Sequence, residues 1–189
     1  QIDKGLKEEE LPDIIKQWRA ASPAITKFWW DVDRAANKAL DTGKMQTAGR
    51  LKIGYYDHKL FICLPSGRKL AYIEPEKRLN SFNRMELTYM GVGKTRKWER
   101  IMTYGPKLVE NCIQAIARDI LAEAMLRVDA TGFDIVAHVH DEMIVEVPNG
   151  KSSVKELCDM MAESPDWVDD KLPLRADGYA VSYTHLRAH

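Results

Sequence analysis

The sequence predicts an α+β fold. Three observations lead there: amphipathic helical periodicity before Gly43, alternating apolar pairs between turn signals over 50–72, and a long helical period after Gly105 followed by a hairpin pattern. The 189 residues, 45% hydrophobic and 30% charged, suit a mixed globular unit and exclude fibrous, collagenous and wholly disordered classes. Twenty-eight Lys and Arg balance 28 Asp and Glu, which neither demands nor excludes a polyanionic partner, since such a surface needs local charge alone. Cys63, Cys112 and Cys158 lie far apart without a CxxC pair, which argues against a disulfide framework or a cysteine-rich zinc site and fits an intracellular setting. No apolar run approaches the roughly 20 residues that span a bilayer, and no export signal opens the chain. Neither membrane nor secretion is indicated. The chain starts at Gln1, without Met, inside helical-reading material, as a piece of a larger protein does.

Taken in order, a first helix is expected over about 8–21 and a second after Ser22, whose side chain offers a cap ahead of Pro23 at the first helical position. Ile25, Phe28, Trp29, Val32 and Ala36 recur at helical spacing until Gly43 ends the run. Trp18, Phe28, Trp29 and Trp30 read as packing residues rather than platforms for bases. Leu51/Ile53, Leu60/Ile62 and Leu70/Tyr72, separated by Asp57-His58 and Pro65-Ser66-Gly67, read as short strands joined by turns, and an edge segment is expected around 172–179. Residues 66–107 carry ten Lys or Arg against four Glu, a local excess of six positive charges. Gly91-Val92-Gly93-Lys94-Thr95 lacks the spacing of a phosphate-binding P-loop.

A long helix is expected over about 107–128, with Val109, Cys112, Ile113, Ile116, Ile120, Leu121, Ala124 and Met125 forming its apolar face. Lys107, Asn111, Gln114 and Arg118 fall at helical offsets of four, seven and eleven, a ladder of long donors that can reach phosphates, sugars or base edges, or simply a hydrated face. Residues 133–139 and 143–147 read as paired strands, leaving His140, Asp141 and Glu142 at the tip. A short helix over about 152–162 follows.

A carboxylate on a tight turn between paired strands is confined to a small range of positions, which suits a hard Mg²⁺ ligand and makes Asp141 the leading candidate. Glu142 points differently and reads as an accessory. Two-metal phosphoryl transfer needs cations roughly 3.5 to 4 Å apart bridged by carboxylates, and one hairpin is half of such a clamp. Asp57 lies in a turn and Asp31 and Asp33 in a helix, so the second carboxylate is missing from the sequence. No nucleophile elbow marks a serine hydrolase, and His138 with His140 matches no zinc spacing.

Val139-His140-Asp141-Glu142 with the following Met143-Ile144-Val145-Glu146-Val147-Pro148 resembles the last catalytic motif of family A DNA polymerases. Trp18-Arg19 with Pro23 and Phe28-Trp29, Leu64-Pro65-Ser66-Gly67-Arg68, Tyr104-Gly105, Gln114-Ala115-Ile116-Ala117-Arg118-Asp119-Ile120, Pro165-Asp166-Trp167, Leu172-Pro173-Leu174 and Asp177-Gly178-Tyr179 occur in the order of phage-like members. The resemblance covers roughly 8–180 and is specific as an ordered set. It implies partial fingers and an antiparallel palm, with the long helix packed on a catalytic β-hairpin. It implies dNTP addition to a primer 3′ end with pyrophosphate release and two Mg²⁺ ions. Asp141 then resembles the second catalytic aspartate and metal ligand, Glu142 its acidic neighbour, and His140 a residue near the primer terminus. Gln114 matches the family glutamine that tracks the primer-template minor groove. The family's Asn and Arg four and eight residues before it are replaced by Glu110 and Pro106, and Lys107 and Asn111 stand in from the same face; Arg118 and Arg68 are further candidate DNA contacts.

The first catalytic strand with its Asp and the fingers helix that grips the triphosphate have no counterpart here, nor do a thumb or a proofreading exonuclease. The expected division is therefore 1–45 helical fingers-side, 46–98 small β-rich and basic, 99–180 C-terminal palm, and 181–189 a tail resembling translated adapter DNA. On this reading the parent is an enzyme and the isolated fragment is inactive. Its partners are primer-template DNA, dNTPs and the remainder of the polymerase chain, with room for a processivity factor, in the bacterial cytoplasm if phage-encoded. The competing reading is a noncatalytic nucleic-acid-binding module whose acidic turn is structural.

Overall fold

In the computed structural model, which describes residues 8–81, 83–148, 150–169 and 172–181, a 3₁₀ turn at Glu8–Glu10 leads into α1 (Leu11–Ala21), and α2 (Pro23–Thr42) follows after the single residue Ser22. Ser22 stands at the expected cap position, but its hydroxyl accepts no capping hydrogen bond. The residue serves both helices at once. Its N–H closes α1 on the Trp18 carbonyl at 3.0 Å, while its own carbonyl accepts the Thr26 N–H at 3.2 Å. That holds it at φ −123°, ψ 57°, away from the extended conformation in which a capping hydroxyl reaches the first free N–H groups. Gly43, at φ 66°, ends α2 as expected by donating its N–H to Ala39 at 2.9 Å.

The chain divides into two compact units, Gln1–Ile113 and Gln114–His189. In the first, α2 buries Val32, Ala35, Ala36 and Ala39, an i, i+3, i+4, i+7 stripe of small side chains that brings the helix close to β1 (Gln46–Ala48), β2 (Leu51–Tyr56) and β3 (Lys59–Cys63). Ile25, seven residues before Val32 on the same line, is 46% exposed, so the buried part of that face begins later than expected. Phe28 lies instead over Gly49, where an added Cβ would come within 3.1 Å of the ring. Trp18 of α1 stacks on Trp29 of α2, ring centroids 5.5 Å apart.

The sheet is a six-stranded antiparallel meander in chain order, completed by β4 (Lys69–Leu79), β5 (Met85–Val92) and β6 (Trp98–Thr103). The alternation in the sequence is realised in register: Ile53 faces Ile62, which also faces Leu70, and Leu60 faces Tyr72. Full burial of Ile53, Leu60 and Ile62 contributes about 2 kcal/mol each. Asp57 and His58, at φ 48° and 54°, make the two-residue turn between β2 and β3. The sheet runs past the expected 46–98 segment to Thr103, and β5 and β6 lie where the sequence shows mainly its positive charge. Much of that charge is committed internally. Arg100 reaches across β5 to the bulge in β4, donating to the Glu74 carbonyl at 2.9 Å and the Thr88 hydroxyl at 3.2 Å and pairing with the Glu76 carboxylate at 2.9 Å. Lys77 pairs with Asp41 at 2.6 Å, and Arg78 with Glu76.

Thr103, 1% exposed, keeps a buried hydroxyl oxygen with no hydrogen-bond partner among the described residues. Thr103→Val, nearly the same in shape, removes that desolvated group and raises unfolding stability by about 1 kcal/mol in a urea melt. A loss of stability would mean that the hydroxyl is bonded after all.

α3 (Gly105–Ala130) begins in the first unit and ends in the second. Leu108, Val109, Cys112, Leu121, Ala124 and Val128 are buried. Ile113, placed on the apolar face from sequence, is 55% exposed.

In the second unit, Gly132 at φ 82° ends α3 and the chain enters a separate two-stranded sheet, β7 (Asp134–Val139) and β8 (Glu142–Glu146). No residue of these strands is fully buried. The helix-on-sheet packing of the first unit is that of α2 on β1–β3. α4 (Val154–Ala162) is capped by Ser153, whose hydroxyl accepts the Glu156 N–H at 3.2 Å. Arg127 of α3 donates to the Met160 and Glu163 carbonyls at the far end of α4, and Trp167 donates its indole N–H to the Glu123 carboxylate at 2.6 Å. Residues 172–181 form no strand, contrary to the expected edge. Pro173 offers no N–H to a ladder, and Gly178 lies where a Cβ would sit 3.1 Å from Cys158 and Val154 of α4. Asn149 and residues 182–189 of the suspect tail lie outside the described residues. Among the described residues no helix is long and apolar enough to cross a membrane.

Candidate functional site

The hairpin closes on Val139 paired with Glu142, so its turn is His140-Asp141, two residues rather than three. His140 takes a positive φ of 53°, which lets the chain reverse this tightly, and Glu142 becomes the first residue of β8. Val136 is an extra residue in β7, because Ile135 faces Val145 while Ala137 faces Ile144. The bulge resets the alternation. His138 then stands opposite Met143, on the half-covered face with Ile135 and Val145, while Val139, Ile144 and Glu142 take the open face. His140 sits in the turn, so strand alternation does not put it on the face of His138.

Asp141 is exposed at this turn, and none of His140, Asp141 and Glu142 makes an ion pair or side-chain hydrogen bond among the described residues. The turn presents three uncommitted polar groups on a paired backbone. No group of three or more His, Cys, Asp or Glu side chains among the described residues is placed to hold a metal ion. These residues do not by themselves fit a Mg²⁺ centre; they supply one positioned carboxylate.

The ladder residues on α3 have different surroundings. Lys107 is exposed and ion-paired with Glu110 at 3.0 Å, and Asn111 is half-buried, donating to the Tyr72 hydroxyl at 3.1 Å. Burial pushes that Tyr72 hydroxyl up to about 12, so it stays protonated. Both belong to the first unit, as does Arg68, exposed in the turn after Gly67. Gln114 and Arg118, exposed on α3, belong with the hairpin to the second unit; Arg118 lies 3.9 Å from the Met125 sulfur.

One residue that the sequence reading set aside holds the start of this helix. Tyr104 precedes Gly105, and its side chain cannot cap a helix. The Asp33 carboxylate of α2 accepts the Gly105 N–H at 2.9 Å instead, and Asn37 donates to the same carboxylate at 3.3 Å. Burial raises the Asp33 carboxyl above its ordinary value, and the Gly105 N–H opposes the rise. An uncapped Tyr-Gly-Pro helix start was the available signal, but it does not say which distant residue supplies the cap.

Over 184 residues, 96% of this chain, the sequence is 44% identical to the DNA polymerase of Bacillus phage SP02. The chain is homologous to part of a phage DNA polymerase. It spans 28% of that relative's length, a little over a quarter. No protein-family profile and no solved structure matches the chain. The similarity to the phage polymerase runs through both units, so the sheet, the long helix and the acidic hairpin are all inside the homologous stretch.

Proposed function

We propose that the chain is the C-terminal fingers and palm portion of a family A DNA-directed DNA polymerase, which in its intact form adds dNTPs to a primer 3′ end. The observation that carries this reading is the 44% identity to a phage DNA polymerase across 96% of the chain, with Asp141 inside it on an uncommitted hairpin turn. In this reading Asp141 supplies one of the carboxylates that hold the two Mg²⁺ ions of the intact enzyme, and the partner Asp comes from polymerase sequence outside this stretch. Glu142 steadies the turn's acidic surroundings and His140 lies near the primer terminus. Gln114, Arg118, Lys107 and Asn111 on α3, with Arg68, contact the primer-template, where the shared acceptors of the minor groove allow a grip that does not depend on sequence. The open apolar positions Val136, Val139 and Ile144, each at least half exposed, support a hairpin built to join a larger sheet, because a two-stranded hairpin is marginal alone. Primer-template DNA, dNTPs and the rest of the polymerase are its partners, in the bacterial cytoplasm where a phage enzyme acts.

One turn carboxylate without a second ligand predicts that the isolated chain gives no templated primer extension with Mg²⁺ and all four dNTPs. A gel-based extension assay checks this. Robust extension that Asp141→Asn abolishes would show a complete site and overturn the fragment reading.

A further inference from the structure

The face of the first sheet turned away from α2 carries an arrangement that the hairpin and the α3 ladder leave unused. Strand register places Lys52, Gly54 and Tyr56 of β2, Phe61 and Cys63 of β3, and Lys69 of β4 on that face, with Lys52 and Lys69 directly opposite Cys63 on its two sides. Between residues 46 and 73 the sequence has five Lys or Arg and one carboxylate, Asp57, which is ion-paired with Lys59 at 2.6 Å. Neither Lys52 nor Lys69 makes an ion pair among the described residues, and both are exposed. On this face Asp57 neutralises Lys59, opposite Tyr56, while Lys52 and Lys69 have no acid opposite them in register.

The apolar part of the face is concave. Gly54 stands opposite Phe61 with the Met45 side chain lying over it, and a depression of about 340 Å³ is walled by Met45, Tyr56, Phe61 and Cys63 and edged by Lys69. Tyr56 is 77% exposed, and neither it nor Phe61 stacks on another ring among the described residues. Free aromatic faces flanked by unneutralised lysines match the requirements of unpaired nucleotides, whose bases stack and whose phosphates need counter-charge. A duplex, with its bases already stacked, gains nothing from the rings.

We propose that this face of β2–β4 is a binding platform for single-stranded DNA, with bases on Phe61 and Tyr56 and phosphates on Lys52 and Lys69. The choice of DNA rests on reading the chain as part of a DNA polymerase. The geometry of the platform does not involve the acidic hairpin.

The test uses the purified 189-residue chain and fluorescein-labelled oligo-dT, with anisotropy read from low to moderate salt. The Lys52→Ala/Lys69→Ala variant weakens binding about ten-fold and flattens the slope of log affinity against log salt by about 1.4, from roughly 0.7 per phosphate contact on a single strand. Tyr56→Ala and Phe61→Ala each weaken binding by about ten-fold with the salt slope unchanged, as loss of stacking requires. Photo-crosslinking with 5-iodouracil in the oligomer labels β2 or β3. No measurable binding at low salt, wild-type affinity in the double-lysine variant, or crosslinks confined to peptides outside 45–69 would each overturn the assignment. So would loss of binding in Lys107→Ala with full binding in the double-lysine variant, which puts the strand on α3. Circular dichroism melts of the exposed-residue variants match the parent, which separates lost binding from lost folding. Platform binding by a chain whose polymerase graft fails to extend primers sinks the polymerase reading alone; an active graft without platform binding sinks this proposal alone.

Discussion

Asp141→Asn lowers nucleotide incorporation on the order of a thousand-fold when residues 8–181 replace the matching stretch of the phage SP02 polymerase. Asn keeps the shape of Asp, and the turn is fixed by the Val139–Glu142 pairing and by His140 at φ 53°, so the hairpin persists and the loss reports the missing charge. A thousand-fold is equivalent to about 4 kcal/mol of charge stabilisation, within what a carboxylate-held metal ion supplies. Primer-template affinity, read by anisotropy, changes by less than about three-fold, because the turn contributes little of the phosphate-contacting charge. Gln114→Ala gives the opposite pattern. It weakens primer-template binding by about ten-fold, the value of a lost minor-groove hydrogen bond, with a smaller effect on single-turnover incorporation. Equal and small effects of both substitutions would count against both assignments.

Gly105→Ala destabilises the first unit by about 3 kcal/mol, at the upper end for an overpacked site. An added Cβ would stand 2.2 Å from the Trp29 carbonyl oxygen and 2.9 Å from the Asp33 Cβ, and the first of these is backbone that cannot turn aside. To make room, α3 must draw away from α2 and lose the Asp33 cap, worth about 1 kcal/mol. The helix propensity of Ala over Gly, about 1 kcal/mol, does not offset this. Thermal melting should fall by about 6 to 12 °C; an unchanged melt would show that the α2–α3 approach is looser than described. The cap has its own pH signature. Because the folded Asp33 carboxyl lies above its ordinary 3.8, its contribution is fully present below that value and is lost as pH rises through the folded one. Stability of the parent relative to Asp33→Asn therefore improves as pH falls across that acidic window and levels off below it. A difference that shrinks on acidification would reverse the sign and refute the burial of this carboxyl.

What the sequence made legible follows from how local each determinant is. The pairs Leu51/Ile53, Leu60/Ile62 and Leu70/Tyr72 alternate without interruption and are bounded by turn residues, so β2, β3 and the start of β4 could be read directly. Gly43 and the helical period after Gly105 were equally local. β6 escaped because Glu99 and Arg100 interrupt its apolar alternation, and Arg100 is there to hold the bulge at Glu74, a contact across the sheet; Met85-Glu86-Leu87-Thr88-Tyr89 of β5 does alternate and was legible. The Val136 bulge also leaves no local mark, since Ile135, Val136 and Ala137 are all plausible strand residues. Asp33 sits 72 positions from the N–H it caps, and no periodicity connects them. At the hairpin the acidic tip was legible from its flanking strands, while the assignment of Glu142 to β8 depended on His140 taking a positive φ, which a histidine seldom does.

Under the proposed function these residues form a working portion of a DNA polymerase. The most direct measurement is templated extension of a labelled primer by the SP02 polymerase carrying residues 8–181 of this chain in place of its own matching stretch. The prediction is Mg²⁺-dependent extension directed by the template; a graft that folds and binds primer-template but adds no nucleotide would contradict it and leave a nucleic-acid-binding module in its place.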